Sequence, residues 1–414
     1  MCAFPMTSPL LPEPVSHPFD ALSPALLNVI MLALPVDARA ICAAVCRGWR
    51  ALLADAVLWQ VLDLSPAGGV PEERVTPALV RGAAARAAGQ LRSLSMNVHG
   101  ELLLELLAAN GELRVVNLVG EPLRAGFLQA VLGVAPQLQL LEVPVRGFAA
   151  ELLPVLRKEQ PYGALRVTHV FASFNTTTSH AEHFEVAAAL AAHPWVDELF
   201  LYGVRSEEPA VLNALLDAAA RARVSMFSVV QCRILAEHLP ALARLLRCGS
   251  LKKLDMIGLF NVVFPMDDES MAQLCAALRA CGTLTHLEFW GYETWRPDNH
   301  HIIVDFLNAA AAMPALSILD LSCCVAVTGH KAAAGQALGA LLAANSPSLR
   351  TLSVGRCHLG DDGLAMLLAG LAANTHLRKL HCGNNNPSEA FKRQLLQPAL
   401  AALAARSDPS APRA

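Results

Sequence analysis

The sequence predicts an α/β solenoid of repeated strand–helix units, preceded by a small all-α block. Two observations support this fold class. A short aliphatic pattern, L-x-x-L-x-L, recurs along most of the 414 residues, and each copy is followed by apolar residues at helical spacing. The segment before the first copies is rich in leucine but has helical spacing only. We therefore expect two kinds of structure in one chain.

The repeats occupy residues 61–405, because the strand pattern returns throughout this range. Its starts are 22 to 33 residues apart, and an opening strand is predicted at Trp59–Leu64. The copies begin at Leu91, Leu113, Leu138, Leu165 (a degenerate copy), Val196, Val224, Leu251, Leu284, Leu316, Leu349 and Leu377.

Each strand pattern is followed by a helix pattern, as in Leu364, Leu367, Leu368 and Leu371, which share one helical face. One strand–helix unit cannot bury its apolar face alone. Stacking about eleven such units creates a continuous core, with a parallel sheet inside and helices outside.

The repeats resemble the leucine-rich-repeat family, of the ribonuclease-inhibitor-like type. The best copy is Leu349–Leu359, LRTLSVGRCHL, with Cys357 at the position that is Asn or Cys in this family. Other copies have Cys232, Cys324 and Asn385 there, whereas Arg146, Val204 and Tyr292 depart from the pattern. The resemblance implies parallel strands on a concave face, helices on a convex face, and a structural role for these cysteines.

The segment Phe19–Trp59 predicts three short helices, near Pro24–Ala33, Asp37–Cys46 and Gly48–Leu53. A block of about 40 residues is too short to build a core of its own. It must therefore pack against something else.

This block resembles an F-box, for which we assign residues 18–60. The matching positions are Leu22, Pro24, Leu26, Leu27, Ile30, Leu34-Pro35-Val36-Asp37, Val45-Cys46-Arg47, Trp49, Leu58 and Trp59, while Ser23 and Ala25 depart from the pattern. The resemblance implies the substrate-recognition subunit of a cullin–RING (SCF-type) ubiquitin ligase. It also implies that a Skp-type adaptor, with its cullin complex, contacts Leu22, Pro24, Leu27, Ile30, Val45 and Trp49.

Charge, hydropathy and cysteine content exclude several classes of function and indicate a cellular compartment. The formal net charge of −3 argues against a strongly basic nucleic-acid binder. The sequence contains no continuous apolar run of about 20 residues, so we expect neither a membrane span nor a membrane partner. The N-terminus lacks the basic and apolar regions of a secretory signal, and eleven scattered cysteines fit a reducing compartment, so we expect a cytoplasmic or nuclear protein. Residues 1–17 and 406–414 are expected to be disordered.

No catalytic, metal or cofactor site is predicted, because the sequence lacks a glycine-rich phosphate loop and a G-x-S-x-G elbow. His180 and His183, beside two glutamates, fit either metal ligands or a polar helix start, and we favour the second. Cys42 and Cys46 share a helix face with Ile41 and Val45, which favours burial over zinc binding. His300 and His301 are expected in a loop.

The predicted target-binding surface is aromatic. In each strand, the residues between the inward leucines point to the concave side. Two copies place aromatic residues there, and another aromatic follows in the insertion 291–301: Phe200, Tyr202, Trp290, Tyr292 and Trp295. These residues either bind a protein substrate or pack against the insertion.

Two other functions are compatible with the same residues. One is a repeat-protein scaffold or inhibitor with no ligase role. The other is a bacterial effector that uses an F-box inside a host cell.

Overall fold

The computed structural model describes residues 24–45, 47–97, 100–119, 122–159, 161–174, 178–193, 195–204, 209–232, 234, 236–257, 268–289, 300–324 and 330–407. The chain divides into two compact units. Unit 1 comprises Met1–Val119 with Gln137–Gln139, and unit 2 comprises Gly120–Pro136 with Leu140–Ala414.

Unit 1 begins with the three helices that the sequence predicts, within two residues of the expected bounds. Its elements are α1 (Pro24–Ala33), α2 (Val36–Val45), α3 (Arg47–Leu52), β1 (Val61–Asp63), α4 (Pro77–Arg86), β2 (Ser93–Asn97), α5 (Gly100–Ala109) and β3 (Val115–Val119). The three strands pair in parallel, β1 with β2 and β2 with β3. The opening strand is shorter than predicted, because Trp59 belongs to a 3-10 helix, Ala56–Trp59.

Unit 2 continues the strand–helix alternation. Its strands are β4 (Leu123–Arg124), β5 (Leu140–Phe148), β6 (Leu165–Ser173), β7 (Glu198–Tyr202), β8 (Met226–Val230), β9 (Lys253–Ile257), β10 (His286–Phe289), β11 (Ile318–Asp320), β12 (Thr351–Ser353) and β13 (Lys379–His381). From β5 to β13, each strand pairs in parallel with the next along the chain.

The helices of unit 2 separate these strands. They are α6 (Ala125–Val134), α7 (Ala149–Leu156), α8 (His180–Ala191), α9 (Pro209–Ala222), α10 (Leu239–Leu246), α11 (Asp268–Ala280), α12 (His300–Ala311), α13 (Lys331–Ala343), α14 (Gly360–Ala373), α15 (Glu389–Phe391) and α16 (Gln397–Ser407). The last helix extends two residues into the predicted disordered tail, and residues 1–17 lie outside the described part of the chain.

The leucine-rich-repeat fold class is confirmed. In all ten regular copies of the pattern, the strand begins two residues after the copy does, as Lys253 follows Leu251. The second leucine of the pattern points into the core, so Leu254, Leu287 and Leu352 are at most 1% exposed. The two-residue strand β4, which pairs with β5, was not predicted.

The predicted structural cysteines are buried at the ends of their strands. Cys232, Cys324 and Cys357 are at most 2% exposed. The Cys232 thiol donates to the carbonyl of Val230, with the sulfur 3.4 Å from the oxygen, and the Cys324 thiol donates to the carbonyl of Phe289 at 3.1 Å. Each thiol thus satisfies a carbonyl group at a turn where the backbone leaves the sheet.

Candidate functional site

The N-terminal helices are anchored by a buried tryptophan. Trp59 is 0% exposed, and its Nε1–H donates to the carbonyl of Leu53, just beyond the end of α3, at 2.8 Å. The Arg86 guanidinium lies 5.2 Å from the centre of the indole ring, within cation–π range. The ring therefore connects α3 to α4, and the short helical block obtains its core from the first repeat.

A buried arginine, Arg39 of α2, holds the end of α1 in place. Its guanidinium is within 2.9 Å of three backbone carbonyls, those of Leu32, Leu34 and Leu58. The carbonyls of Leu32 and Leu34 lie at the C-terminal end of α1, where carbonyl groups lack helical partners and carry partial negative charge, so a cation there is stabilising. The bond to Leu58 ties the same guanidinium to the 3-10 helix Ala56–Trp59. Burial lowers the pKa of Arg39. Nothing in the sequence pattern predicted this role.

The same N-terminal segment, from α1 to β1, exposes a concentration of large apolar side chains. Seven of the fifteen exposed large apolar residues in the described part of the chain lie between residues 26 and 61. We call these seven the N-terminal apolar surface: Leu26, Val29, Leu32, Ile41, Val45, Val57 and Val61. Exposed apolar patches on soluble proteins typically mark interaction sites.

The predicted adaptor-binding residues lie only partly on this surface. Val45 is 63% exposed, whereas Leu27, Ile30 and Trp49 are half-buried. Pro24 begins α1, but its side chain and the whole of Leu22 lie outside the described residues.

The expectation that the Cys42 face of α2 is buried is wrong. Ile41 is 62% exposed, Val45 is 63% exposed, and Cys42 is only half-buried. Ile41 and Val45 are four residues apart, so they are neighbours on one side of the helix. The sequence shows that this face is apolar, but whether it turns inward depends on the packing of Arg39 and Trp59 on the other side.

A groove of about 400 Å³ opens beside the end of α1. Leu32, Pro35 and Val61 supply its apolar wall, and Arg39 and Asp63 its polar wall. Two of these residues belong to the N-terminal apolar surface. The groove could therefore receive an apolar side chain from a partner.

The second candidate surface is the side of the unit 2 sheet that carries the residues between the inward leucines. We call it the open face. Phe171 on β6 and Phe200 on β7 are register partners, and their rings stack with centroids 4.1 Å apart. Both rings are half-buried, while Tyr202 is 47% exposed. Trp290, Tyr292 and Trp295 lie outside the described residues.

A row of carboxylates lies on the same face. Asp255 on β9 is the register partner of Glu288 on β10, which is the partner of Asp320 on β11. Asp255 is 3% exposed, and its Oδ2 pairs with Lys253 Nζ at 3.0 Å. The strand pattern places Asp255 among the charged residues of the concave side, but it assigns no binding role to any of these three acidic residues.

These carboxylates affect one another. Burial and the neighbouring charges of Asp255 and Asp320 raise the pKa of Glu288 to about 7. Burial also raises the pKa of Asp255, opposed by the ion pair with Lys253. Burial lowers the pKa of His286, so that it is neutral at pH 7 and adds no compensating charge.

The histidines of α8 lie at a capped helix start. Ser179 and Glu182 make reciprocal capping hydrogen bonds, and His183 stacks on Phe174 with ring centroids 4.6 Å apart while bonding the carbonyl of Ser179 at 2.7 Å. Within the described residues, no group of acidic, histidine or cysteine side chains is arranged to hold a metal ion. His300 and His301 begin α12, so the expectation of a loop there is wrong.

None of the described helices is both long enough and apolar enough to span a membrane.

Comparisons with known proteins find likeness in structure only. No protein-family model and no curated protein matches the chain. Among solved structures, the chain is similar to the Rad7–Elc1 complex of yeast, with 15% identity, a TM-score of 0.40, and coverage of 86% of this chain and 80% of that one. It is also similar to the tropomodulin C-terminal domain of Caenorhabditis elegans, with 14% identity, a TM-score of 0.28, and coverage of 39% of this chain and 92% of that one. A third similar structure is the TLR13–ssRNA13 complex, with 13% identity, a TM-score of 0.33, and coverage of 76% of this chain and 53% of that one. Likeness this low carries no information about function.

Proposed function

We propose that the chain is a substrate receptor of a cullin–RING (SCF-type) ubiquitin ligase. The N-terminal helices bind a Skp-type adaptor, and the open face of unit 2 binds a target protein. The receptor contributes no catalytic group. It raises the effective concentration of the target near the ubiquitin carrier.

The observation that carries this proposal is the N-terminal apolar surface. Seven large apolar side chains are exposed within residues 26–61. Six of them lie in the segment whose residues resemble an F-box, from Leu22 to Trp59, and Val61 follows on β1. Burying an aliphatic side chain stabilises a protein or a complex by about 1.5–3 kcal/mol relative to leaving it exposed. Binding of an adaptor over these side chains would gain part of that free energy. Helices that present such a face suit a partner with a complementary groove.

Adaptor pull-down with the purified full-length chain tests the proposal. Ile41→Glu combined with Val45→Glu should reduce capture of a Skp-type adaptor at least tenfold, because it buries two unpaired charges in the interface. Both side chains are more than 60% exposed, so the variant should fold normally.

The matched control is Met366→Glu. Met366 is 47% exposed on α14 of unit 2, so its replacement introduces one glutamate charge on a helix outside the proposed interface. Capture should match that of the unaltered chain. Absence of adaptor binding at micromolar concentration would instead favour a repeat-protein scaffold without a ligase role.

A further inference from the structure

The open face of unit 2 places three carboxylates and an aromatic stack in one row across the sheet. Strand register aligns Phe171, Phe200, Ser228, Asp255, Glu288 and Asp320. Neighbouring strands are about 4.8 Å apart, so the three carboxylates extend over roughly 10 Å and the Phe200 ring lies about 14 Å from Glu288.

The charges in this row are not balanced by described neighbours. Lys253 pairs with Oδ2 of Asp255 and faces the carboxylates from the same side of β9, and His286 is held neutral by burial and by Lys253. One lysine therefore opposes three acidic groups.

One atom of the row lacks a donor when Glu288 is ionised. Oδ1 of Asp255 is buried and has no hydrogen-bond donor in the described structure. Glu288 can hydrogen-bond to Asp255 only while its own carboxyl holds a proton. A buried acceptor without a donor is costly, and a ligand that supplies N–H groups would remove the cost.

We propose that this face binds an extended segment of a target protein through an arginine at the carboxylate row and an aromatic residue on the Phe171–Phe200 stack. The inference rests on the proposed function, of which it specifies the target. Arginine fits better than lysine, because its planar guanidinium offers five donors to carboxylates on adjacent strands. An extended chain covers about 3.3–3.6 Å per residue, so the two anchors are about four residues apart.

The test uses the full-length chain and a synthetic peptide, Phe-Gly-Ser-Gly-Arg, labelled with fluorescein through an uncharged linker. Fluorescence anisotropy at pH 8 should show saturable binding below 1 mM peptide. Replacing the arginine by citrulline, which has the same shape without the charge, should weaken binding about tenfold or more. Equal affinity for the two peptides, or for a lysine peptide, would overturn the proposal.

Two conservative variants locate the site. Glu288→Gln with Asp320→Asn should lose about tenfold in affinity and no longer distinguish arginine from citrulline. Asp320→Asn alone is a second test variant that should fold normally. Its asparagine oxygen can still accept the hydrogen bond that Asp320 accepts from the Ser322 amide at 2.8 Å. Glu185→Gln, an exposed glutamate on α8, is the matched control and should bind normally. Unchanged affinity in both carboxylate variants contradicts the assignment.

The pH dependence of peptide binding distinguishes a role of the Glu288 charge in binding from an effect of its replacement on the fold. Glu288 is faced by Asp255, Asp320 and Lys253, and its pKa of about 7 means that it gains a proton between pH 8 and pH 6. Peptide binding should weaken over that range, and Glu288→Gln should remove most of the change. Adaptor capture depends on unit 1 residues and is measured separately. A chain that captures the adaptor but not the peptide would refute this inference alone, and the reverse result would refute the adaptor half of the proposed function.

Discussion

Oδ1 of Asn385 accepts a hydrogen bond from the backbone N–H of Cys357 at 3.0 Å, so a residue of one repeat closes the turn of the repeat before it. The same oxygen accepts from the Leu359 N–H at 3.3 Å, and Nδ2 donates to the carbonyls of Val354 and Cys382. Asn385 is 0% exposed. Its amide thus satisfies four backbone groups that water cannot reach.

Asn385→Ala should lower the free energy of unfolding by about 2–4 kcal/mol, because it leaves four buried backbone groups without their partner. Urea denaturation followed by circular dichroism measures this loss. Asn308→Ala, at an exposed position of α12, is the control and should change stability by no more than about 0.5 kcal/mol. Equal effects in the two variants would contradict the bridging role.

Cys232, Cys324 and Cys357 should react slowly with thiol reagents in the folded protein. Burial raises the pKa of Cys232 to about 12 and also raises that of Cys357, so little reactive thiolate is present at pH 8. Cys42, Cys248 and Cys323 are half-buried and should be labelled before these three. Peptide mapping by mass spectrometry, after a short exposure to a thiol reagent, gives the order in which the cysteines react. Rapid labelling of all three buried thiols, with unchanged circular dichroism, would show that the repeat register is wrong.

Tyr202→Ala and Trp290→Ala should each abolish target capture without weakening adaptor binding. Tyr202 is 47% exposed, so its removal costs little folding energy, whereas a buried aromatic anchor contributes several kcal/mol to binding, about 2 or more. Trp290 lies outside the described residues, and its role is predicted from the sequence pattern alone. Proximity labelling in cells compares the captured partners.

Phe184→Ala is the matched control for these aromatic variants. Phe184 is 40% exposed on α8, away from the strands. An unchanged set of labelled partners in the Tyr202 variant would place the target site elsewhere, on the C-terminal repeats.

Glu288→Gln should stabilise the fold at pH 8. The pKa of Glu288 is raised from 4.5 to about 7, so the folded state holds a proton that the unfolded state releases. The contribution of protonated Glu288 to the free energy of unfolding is therefore fully present below pH 4.5, and it is lost as the pH rises through 7. Removing the charge should recover about 1–2 kcal/mol at pH 8 after allowance for solvent screening, and nothing at pH 4.5.

Urea denaturation at several pH values measures this effect. The difference between Glu288→Gln and the unaltered chain should grow from pH 5 to pH 8. A difference independent of pH would mean that Glu288 acts through packing and not through its charge.

The positions of the repeats follow from the sequence by itself. A strand must turn its leucines into a shared core, so L-x-x-L-x-L marks each strand start, and all ten regular copies agree with the structure. The three N-terminal helices follow from their apolar spacing in the same way. The structural roles of Cys232 and Asn385 are what the resemblance to leucine-rich repeats implies for these two positions.

Only the tertiary structure decides which residues of different repeats become neighbours. Asp255, Glu288 and Asp320 are about 32 residues apart in sequence, and they form one row because parallel register brings equivalent positions together. The outward face of α2 is settled in the same way. Ile41 and Val45 are as apolar as core residues, and they are exposed because Arg39, on another side of the helix, is held inside by three carbonyls. Residue patterns record periodicity along the chain, whereas burial and charge coupling depend on contacts between distant segments.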